Sequence, residues 1–264
     1  MASADLSIGI VSYHNSKDIS RLVESIEHYT SPQLKKRIYI VDNADDQALF
    51  EPLTARYDDV EYVHAGGNIG FGAGHNLLLN KIDSKYHAIV NPDVLLTEDS
   101  FSILLKFLDE HNCAMAVPKL VGEDGNRLSV YRQHPTLIDM MARMSPADLF
   151  KERNAKHELA HADYTKPFNV PFAQGSFLVC ETGMLKKLKG FDERFFMYLE
   201  DADLCRRVNQ VSSVMYCPDT TVIHKWEKGS HKSLKLFSIH MSSWFKYFSK
   251  WGWFAPGKSY KEQR

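Results

Sequence analysis

Two clusters of acidic and amide side chains in this sequence have the types and spacing needed to hold a metal ion or to move a proton. Asn91 and Asp93 lie two residues apart in the segment NPDV, and Glu200, Asp201 and Asp203 lie within four residues of one another. A carboxylate beside a diphosphate ligand can bind Mg²⁺, which commonly uses only one or two protein carboxylates. Three crowded carboxylates suggest a general base and groups that orient the base or a metal. As alternatives, Asn-Pro-Asp also suits a turn, and acidic residues also stabilise a helix N-terminus.

A glycine-rich segment, NIGFGAGHN at residues 68–76, follows the third predicted strand. It lacks the GxGxxG spacing of a dinucleotide-binding turn, which would also follow the first strand. Its glycines instead allow the backbone to lie against a flat or charged ligand. Gly175 and Ser176 lie inside another predicted strand, where a glycine often marks the close approach of a ligand.

The first half of the sequence alternates short apolar runs with helical patterns, which predicts an α/β fold with a mostly parallel sheet. The predicted strands are residues 6–13, 37–43, 59–65 and 87–93. Polar residues come at the ends of these strands: Tyr13, Asn15, Asp42, Asn68, Asn91 and Asp93. Ligands of such sheets bind beyond the carboxyl ends of the strands. We therefore predict a nucleotide-sized site at this edge, although asparagine and aspartate also favour ordinary turns.

The sequence after residue 96 is less regular. It predicts a helix over 97–112 capped by Thr97, a hairpin over 117–131 around Asp124-Gly125, and strands over 170–180 and 213–224, the last ending at His224. The polar, non-periodic segment 149–167 is predicted to be a mobile loop. The four cysteines form no CxxC pair, so we expect four buried thiols and neither a zinc site nor a disulfide framework.

The overall composition is that of an ordinary folded protein, with 264 residues, 44% hydrophobic, 25% charged and a net charge of −1. These values exclude collagen, coiled coils and disordered chains. No apolar run is long enough to span a membrane. The N-terminus also lacks the basic and apolar regions of a signal peptide, so we expect a cytoplasmic protein.

Positive charge and tryptophan are concentrated in the C-terminal tail. Residues 225–264 contain nine Lys and Arg against two Glu, a net charge of +7, and all four tryptophans, whereas the preceding residues carry −8. Apolar residues recur there at helical spacing, namely Leu234, Phe237, Met241, Phe245, Phe248 and Trp251. We therefore divide the chain into a main domain, 1–232, and a basic, aromatic helical extension, 233–264. Such a helix suits an anionic membrane surface, although packing against the main domain or a homodimer interface stays open. No recognised nucleic-acid motif accompanies it, so we expect no nucleic-acid partner.

Several segments together resemble the inverting family 2 glycosyltransferases of the GT-A fold. They are VSYHN after the first strand, VDN after the second, NIGFGAGHN, NPDV, GSF and GFDERFFMYLEDADLCRR. The closing blocks IHKWEKGSHKS and HMSSWFKYFSKWGWF resemble the bacterial rhamnosyltransferase branch that builds cell-wall and surface polysaccharides from dTDP-rhamnose. The resemblance covers nearly the whole chain apart from 149–167. It implies that residues 1–232 are a GT-A catalytic domain with a Rossmann-like, mostly parallel sheet flanked by helices.

The resemblance implies roles for individual residues. Asp201 would be the catalytic base, supported by Glu200 and Asp203. Asp93 occupies the metal position of the DxD motif, but Asn91 replaces the first Asp, so His224 would complete a site for Mg²⁺ or Mn²⁺. The residues expected to bind the nucleotide sugar are Tyr13, Asn15, Asp42, Asn68, Gly70, Asn91, Arg132 and Asp203, with Asp42 bonding the pyrimidine base and Arg132 a diphosphate.

The resemblance also implies a reaction. The enzyme would transfer L-rhamnose from dTDP-β-L-rhamnose, with inversion, to a hydroxyl of a polyprenyl-diphosphate-linked glycan in cell-wall or surface polysaccharide synthesis. A lipid-linked acceptor would place it at the inner face of the plasma membrane, with the tail as the contact. Two alternatives stay open: another donor, such as a UDP-hexose or UDP-galactofuranose, and a non-catalytic module that binds nucleotide sugar or membrane.

Overall fold

The N-terminal half forms a parallel α/β unit, because its strands are apolar runs separated by amphipathic helices. The computed structural model describes residues 4–144, 149–225 and 234–253. Its first elements are β1 (Ala4–Ser12), α1 (Ser16–Tyr29), β2 (Lys36–Asp42), α2 (Gln47–Arg56), β3 (Val60–His64), α3 (Phe71–Asn76) and β4 (Ser84–Val90). The four strands pair in the order β3-β2-β1-β4, all parallel. Their carboxyl ends therefore meet at one edge, as the sequence predicts.

The second half completes the sheet with mixed pairing. Its elements are β5 (Val94–Leu96), α4 (Ser100–His111), β6 (Met115–Val121), β7 (Tyr131–Arg132), α5 (Leu137–Met144), α6 (Lys151–His157), β8 (Phe168–Asn169), β9 (Phe172–Ala173), β10 (Phe177–Glu181), α7 (Thr182–Lys187), α8 (Glu200–Val211), β11 (Val214–His224) and α9 (Leu234–Trp251). Strand β10 lies antiparallel between β4 and β6, β11 pairs with β6, β5 and β8, and β7 pairs with β9 in a small second sheet. The predicted α/β fold is confirmed.

One predicted helix boundary and one predicted loop in the second half are wrong. Helix α4 begins at Ser100, because the carboxylate of Asp99, and not Thr97, caps it by accepting a hydrogen bond from the Ser102 N–H at 3.2 Å. The segment 149–167 contains helix α6. Its last residue, His157, is buried, and the backbone carbonyl of His157 accepts a hydrogen bond from the Gln133 N–H. The prediction of a loop overlooked a short helix that packs on the domain.

The predicted strand 170–180 and the predicted hairpin 117–131 are also interrupted. Residues 174–176 separate β9 from β10, which belong to different sheets. The turn around Asp124 forms, and Val121 bridges Arg127, but the returning arm continues without a regular strand until it reaches β7. The interruption at residues 174–176 places the backbone after β9 beside helix α8, where it contributes to the site described below.

The C-terminal helix α9 divides into two parts with different surroundings. Tyr247 and Phe248 are buried against Phe172, Phe195 and Ala202, with Trp244 and Trp251 at the margin of this cluster. By contrast the predicted apolar stripe is exposed at four positions, namely Leu234, Phe237, Met241 and Phe245. The stripe therefore packs on the domain only at its C-terminal end. Trp226 and the predicted domain boundary at 232–233 lie outside the described residues.

Within the described ranges, no helix is long and apolar enough to cross a membrane. All four cysteines are buried free thiols, as expected: Cys113, Cys180, Cys205 and Cys217.

Candidate functional site

Asp93 and His224 are brought together by the register of two antiparallel strands. Val94 of β5 pairs with His224 at the end of β11, and the Lys225 N–H donates to the Asp93 carbonyl at 3.0 Å. This pairing leaves the carboxylate Oδ1 of Asp93 3.2 Å from Nε2 of His224. Residues separated by about half the sequence thus meet at the carboxyl edge of the sheet, where the sequence predicts a metal site.

The electrostatics of this pair suit an ionised carboxylate. Burial raises the pKa of Asp93, but the hydrogen bond and charge of His224, aided by backbone N–H and Lys225, outweigh it and leave the pKa below its usual value. His224 is 1% exposed, and its Nδ1 has no hydrogen-bond partner among the described residues. With Nε2 of His224 deprotonated, the same 3.2 Å separation would match the spacing of about 3.0 Å between adjacent ligands of an octahedral ion at about 2.1 Å, so a cation would replace this hydrogen bond. No cluster of three or more potential ligands occurs in the described part of the chain.

Asp201 lies in the first turn of α8, and two backbone N–H groups fix its carboxylate. Gly175 donates to Oδ2 at 3.0 Å and Ala202 donates to Oδ1 at 2.8 Å. Burial raises the pKa of Asp201, and these two hydrogen bonds and the positive charge of Arg132 partly oppose the rise. The result is an oriented carboxylate with a raised affinity for a proton, which is the property required of a general base.

Glu200 precedes Asp201 but lies in a different environment. Its side chain is buried, and its Oε2 has no hydrogen-bond partner among the residues that the structure describes. Burial, together with the negative charge of Asp201, raises the pKa of Glu200 well above its usual value. Glu200 is therefore the member of the pair that holds its proton more tightly, and Asp201 is the one that ionises first.

The two carboxylate sites are connected by the bend between β9 and β10. Ser176, in this bend, accepts a hydrogen bond from the backbone N–H of Asn91 at 2.9 Å, while its neighbour Gly175 bonds Asp201. The segment NPDV and the start of α8 therefore share one structural link. Gly175 was predicted from sequence to mark a close approach of ligand to backbone. The group that approaches it here is the carboxylate of Asp201, a role that the sequence analysis missed.

The expected nucleotide-binding residues lie at the ends of β1 and β2, with different accessibility. Tyr13 is 51% exposed, and its N–H donates to the side-chain oxygen of Asn15, which closes the turn after β1. Asp42 is fully buried, and its carboxylate accepts from the Ala44 and Asp46 N–H groups and from the Tyr62 hydroxyl. Asp42 therefore shapes the turn, and its contact with a base stays a prediction.

The glycine-rich loop lies against the segment that precedes α8. Gly70 has a φ of 93° and a Cβ at this position would lie 2.2 Å from the Phe196 carbonyl oxygen, so only glycine fits. The Phe71 N–H donates to the same carbonyl at 3.2 Å. Asn68 accepts from the Gly70 N–H, and Asn43, at the end of β2, donates to the Gly70 carbonyl. The loop therefore connects the end of β2 to the acidic helix.

Arg132 and Asp203, both expected to bind the nucleotide sugar, lie in different surroundings. The positive charge of Arg132, on β7, lowers the pKa of Asp201. Asp203 is fully buried, and its carboxylate is taken by Arg207, Lys250 and Trp251. Both carboxylate oxygens of Asp203 are therefore bound by side chains of α8 and α9, and its expected contact with a nucleotide sugar stays a prediction. The sequence leaves open whether the C-terminal helix packs on the domain, and the spacing of Lys250 and Trp251 does not indicate this contact.

Comparison with known proteins agrees with this geometry. A sequence profile described as glycosyl transferase family 2 matches residues 7–188, which contain the four parallel strands, the glycine-rich loop and NPDV. The rhamnosyltransferase WbbL of Escherichia coli K12 is 25% identical over 256 residues, 91% of either chain. The N-acetylglucosaminyl-diphospho-decaprenol L-rhamnosyltransferase of Mycobacterium tuberculosis is 26% identical, over 83% of this chain and 75% of that protein. A hexosyltransferase, Agl10 of Haloferax volcanii, is 25% identical over 83% of this chain and 67% of its own length.

Solved structures show the same fold. The mannosyltransferase PcManGT of Pyrobaculum calidifontis, solved with GDP-Man and Mn²⁺, superposes with a TM-score of 0.67 at 14% identity, over 98% of this chain and 68% of that one. GalNAc-T7, solved with UDP, GalNAc and Mn²⁺, gives 0.64 at 16% identity over 94% of this chain, which spans 49% of the GalNAc-T7 chain. With more than half of its length matched by the family profile and a GT-A-like fold, the chain belongs to glycosyl transferase family 2.

Proposed function

We propose that this glycosyltransferase transfers L-rhamnose from dTDP-β-L-rhamnose to a hydroxyl of a polyprenyl-diphosphate-linked glycan, with inversion, in bacterial cell-wall or surface polysaccharide synthesis. The observation that carries the proposal is the oriented carboxylate of Asp201, linked through Gly175 and Ser176 to the strand end that bears Asp93. Two relatives similar over most of this chain are named rhamnosyltransferases, and one of these names specifies a diphospho-decaprenol acceptor.

In the proposed reaction Asp201 accepts the proton of the acceptor hydroxyl while that oxygen attacks the anomeric carbon from the face opposite the diphosphate. The configuration inverts, so a β-linked donor gives an α-L-rhamnoside. Asp93 and His224 would hold Mg²⁺ or Mn²⁺, as suggested by their 3.2 Å spacing and by the Mn²⁺ in two solved structures of this fold. Such an ion stabilises the negative charge that develops on the leaving diphosphate. Tyr13, Asn15, Asn68 and Gly70 would surround the nucleoside.

Asp201→Asn is the sharpest test, because it removes the base while conserving the size of the side chain and an oxygen for the Gly175 N–H. We expect release of dTDP from dTDP-rhamnose, in the presence of lipid-linked acceptor, to fall by about 10² or more. Binding of dTDP should stay within about twofold of wild type, since the proposed base does not hold the nucleotide. A variant with wild-type turnover would refute the assignment of Asp201.

A second donor class is favoured by one observation. The relative Agl10 is named a hexosyltransferase at the same identity as the relative WbbL, so identity alone does not separate donors. Thermal unfolding with a panel of dTDP-rhamnose, UDP-hexoses and UDP-galactofuranose distinguishes them, because a ligand that binds the folded state raises its melting temperature. A UDP-sugar that stabilises the protein more than dTDP-rhamnose would replace the proposed donor.

The exposed part of α9 is suited to a membrane surface, and we propose that it binds the inner face of the plasma membrane, where the lipid-linked acceptor lies. Leu234, Phe237, Met241 and Phe245 leave an apolar row uncovered over about three turns. Lysines at 225, 228, 232 and 235 precede or begin this row in the sequence. An apolar row beside basic residues is the combination that binds anionic lipid surfaces. Co-sedimentation with anionic vesicles tests the assignment, and a concentration-dependent dimer without vesicle binding would overturn it.

A further inference from the structure

The backbone immediately before Glu200 and Asp201 is held in an unfavourable conformation. Tyr198 has a φ of 70° and Leu199 a φ of 67°, both in the left-handed region that bulky side chains rarely adopt. Two such residues in succession persist only where the surrounding structure fixes them. They also set the direction in which α8 starts, and hence where the carboxylates of its first turn point.

Helix α9 supplies one set of contacts that fix this segment. The buried hydroxyl of Ser243 donates to the Met197 carbonyl at 2.8 Å, and the ammonium of Lys246 donates to the Arg194 carbonyl at 2.7 Å. The ring of His240 lies 4.6 Å from that of Tyr198, centroid to centroid. Three residues of α9, on successive turns, therefore contact the backbone or side chains that lead into Glu200.

A second set of contacts fixes α8 itself. Lys250 lies 2.6 Å from one carboxylate oxygen of Asp203 and 2.7 Å from Asp192, so one ammonium bridges the start and the end of the segment that leads into α8. The indole N–H of Trp251 donates to Asp203 at 2.8 Å, and Arg207 occupies the other oxygen at 2.7 Å. Asp203 is two residues from Asp201 on the same helical turn, so a shift of one moves the other.

The same segment also meets the glycine-rich loop. The Phe196 carbonyl accepts from the Phe71 N–H, and the lack of a side chain at Gly70 allows this approach. Residues 192–203 therefore contact both the expected nucleotide-binding loop and α9. A segment in that position can transmit the placement of α9 directly to the reacting groups.

We propose that α9 is a positioning element of the active site, in which Ser243 and Lys250 hold residues 192–203 so that Asp201 is aimed at the acceptor hydroxyl. This inference rests on the proposed function, because it takes Asp201 as the base. Neither side chain needs to touch substrate: both act through the backbone and the carboxylates that they bind. The tail is then part of the catalytic domain in its C-terminal half, and its exposed row is a separate surface.

Ser243→Ala and Lys250→Met in the full-length chain test the proposal. We expect kcat to fall about tenfold or more in each, since a small misplacement of a reacting group has effects of this size, while the KM for donor and the Kd for dTDP stay within about twofold of wild type. Lys250→Arg, which retains both ion pairs, should restore most of the rate. The pH dependence of kcat should change only in the two disruptive variants, because they alter the surroundings of Asp201.

Lys36→Met is a matched control. Lys36 also bridges two carboxylates, Glu27 and Asp59, each at 2.8 Å, but it begins β2, at the edge of the sheet opposite the site. The Lys36→Met variant should lower the melting temperature, as Lys250→Met does, and leave the kcat of the folded protein unchanged.

Three outcomes would decide the matter. If Ser243→Ala and folded Lys250→Met both keep the wild-type kcat, the positioning role is overturned and the proposed function is not. An equal fall in the kcat of Lys36→Met has the same consequence. Wild-type protein that transfers no sugar from any nucleotide donor overturns the proposed function, and the positioning role falls with it. Should Lys250→Met fail to fold, Ser243→Ala, which removes a single hydroxyl, decides the question.

Discussion

Asp201 and Glu200 are neighbours in the chain, yet the structure gives them different chemistry. Asp201 accepts two backbone hydrogen bonds, and the positive charge of Arg132 lowers its pKa, so both effects favour its ionised form. Glu200 is buried beside the negative charge of Asp201, with one oxygen unpaired among the described residues, which favours its neutral form. Enzymes separate acid and base roles by giving two neighbouring carboxyl groups environments that make their pKa values differ.

The pH dependence of kcat/KM should report this pair. A base with a raised pKa is protonated and inactive below that pKa, so activity should rise with pH through a midpoint above the usual Asp value of 3.8. Asp93 has a lowered pKa and is already ionised in that range. Arg132→Met removes a charge that favours ionised Asp201, so the midpoint should move to higher pH. Arg56→Met, on the exposed surface of α2, should leave it unchanged. A midpoint that stays fixed or moves lower in Arg132→Met contradicts this account.

At the scale of elements, the parallel half of the sheet could be predicted, because its strands are separate apolar runs whose ends carry polar residues. The meeting of Asp93 and His224 could not be derived from spacing alone, since it depends on the antiparallel register of β5 and β11. The insertion of β10 between β4 and β6 was equally hidden, because a fully buried strand has the same apolar pattern in either direction. Gly175 was detectable as a glycine in a strand, but its hydrogen bond to Asp201 needed the fold.

The contact between the glycine-rich loop and the segment before α8 can be tested at Gly70. An added Cβ in Gly70→Ala would meet the Phe196 carbonyl at 2.2 Å and would hold alanine at a positive φ. We expect a loss of about 2 kcal/mol or more in the free energy of unfolding, measured in urea, with weaker dTDP binding. In Gly183→Ala, in helix α7, the new methyl meets nothing within 4 Å, so stability should hold or rise slightly. Equal stability of the two variants would contradict the described packing.

At the scale of the whole molecule, the acidic domain and the basic tail are not separate parts, because the C-terminal half of α9 packs on the domain. The sequence shows the difference in charge, but it does not show where the charges are used. Lys250 pairs with the carboxylates of Asp192 and Asp203, so part of the positive charge of the tail neutralises acidic groups of the domain, while Lys246 donates to the backbone carbonyl of Arg194. Tyr247 and Phe248 join a buried cluster with the domain, whereas the first half of α9 keeps its apolar row exposed. One amphipathic pattern therefore serves two surfaces, which periodicity alone cannot separate.

This division decides how membrane binding must be tested. Deleting residues 234–264 would expose the partners of Tyr247 and Phe248, whose burial alone stabilises the fold by about 3–6 kcal/mol, so the truncated protein should be strongly destabilised and its loss of vesicle binding ambiguous. A double variant, Phe237→Ser with Phe245→Ser, removes only exposed side chains and should keep the wild-type melting temperature and dTDP affinity. Its binding to phosphatidylglycerol vesicles should fall about tenfold or more. Leu49→Ser, at an equally exposed position on α2, is the control. Unchanged vesicle binding in the double variant would show that another surface meets the membrane.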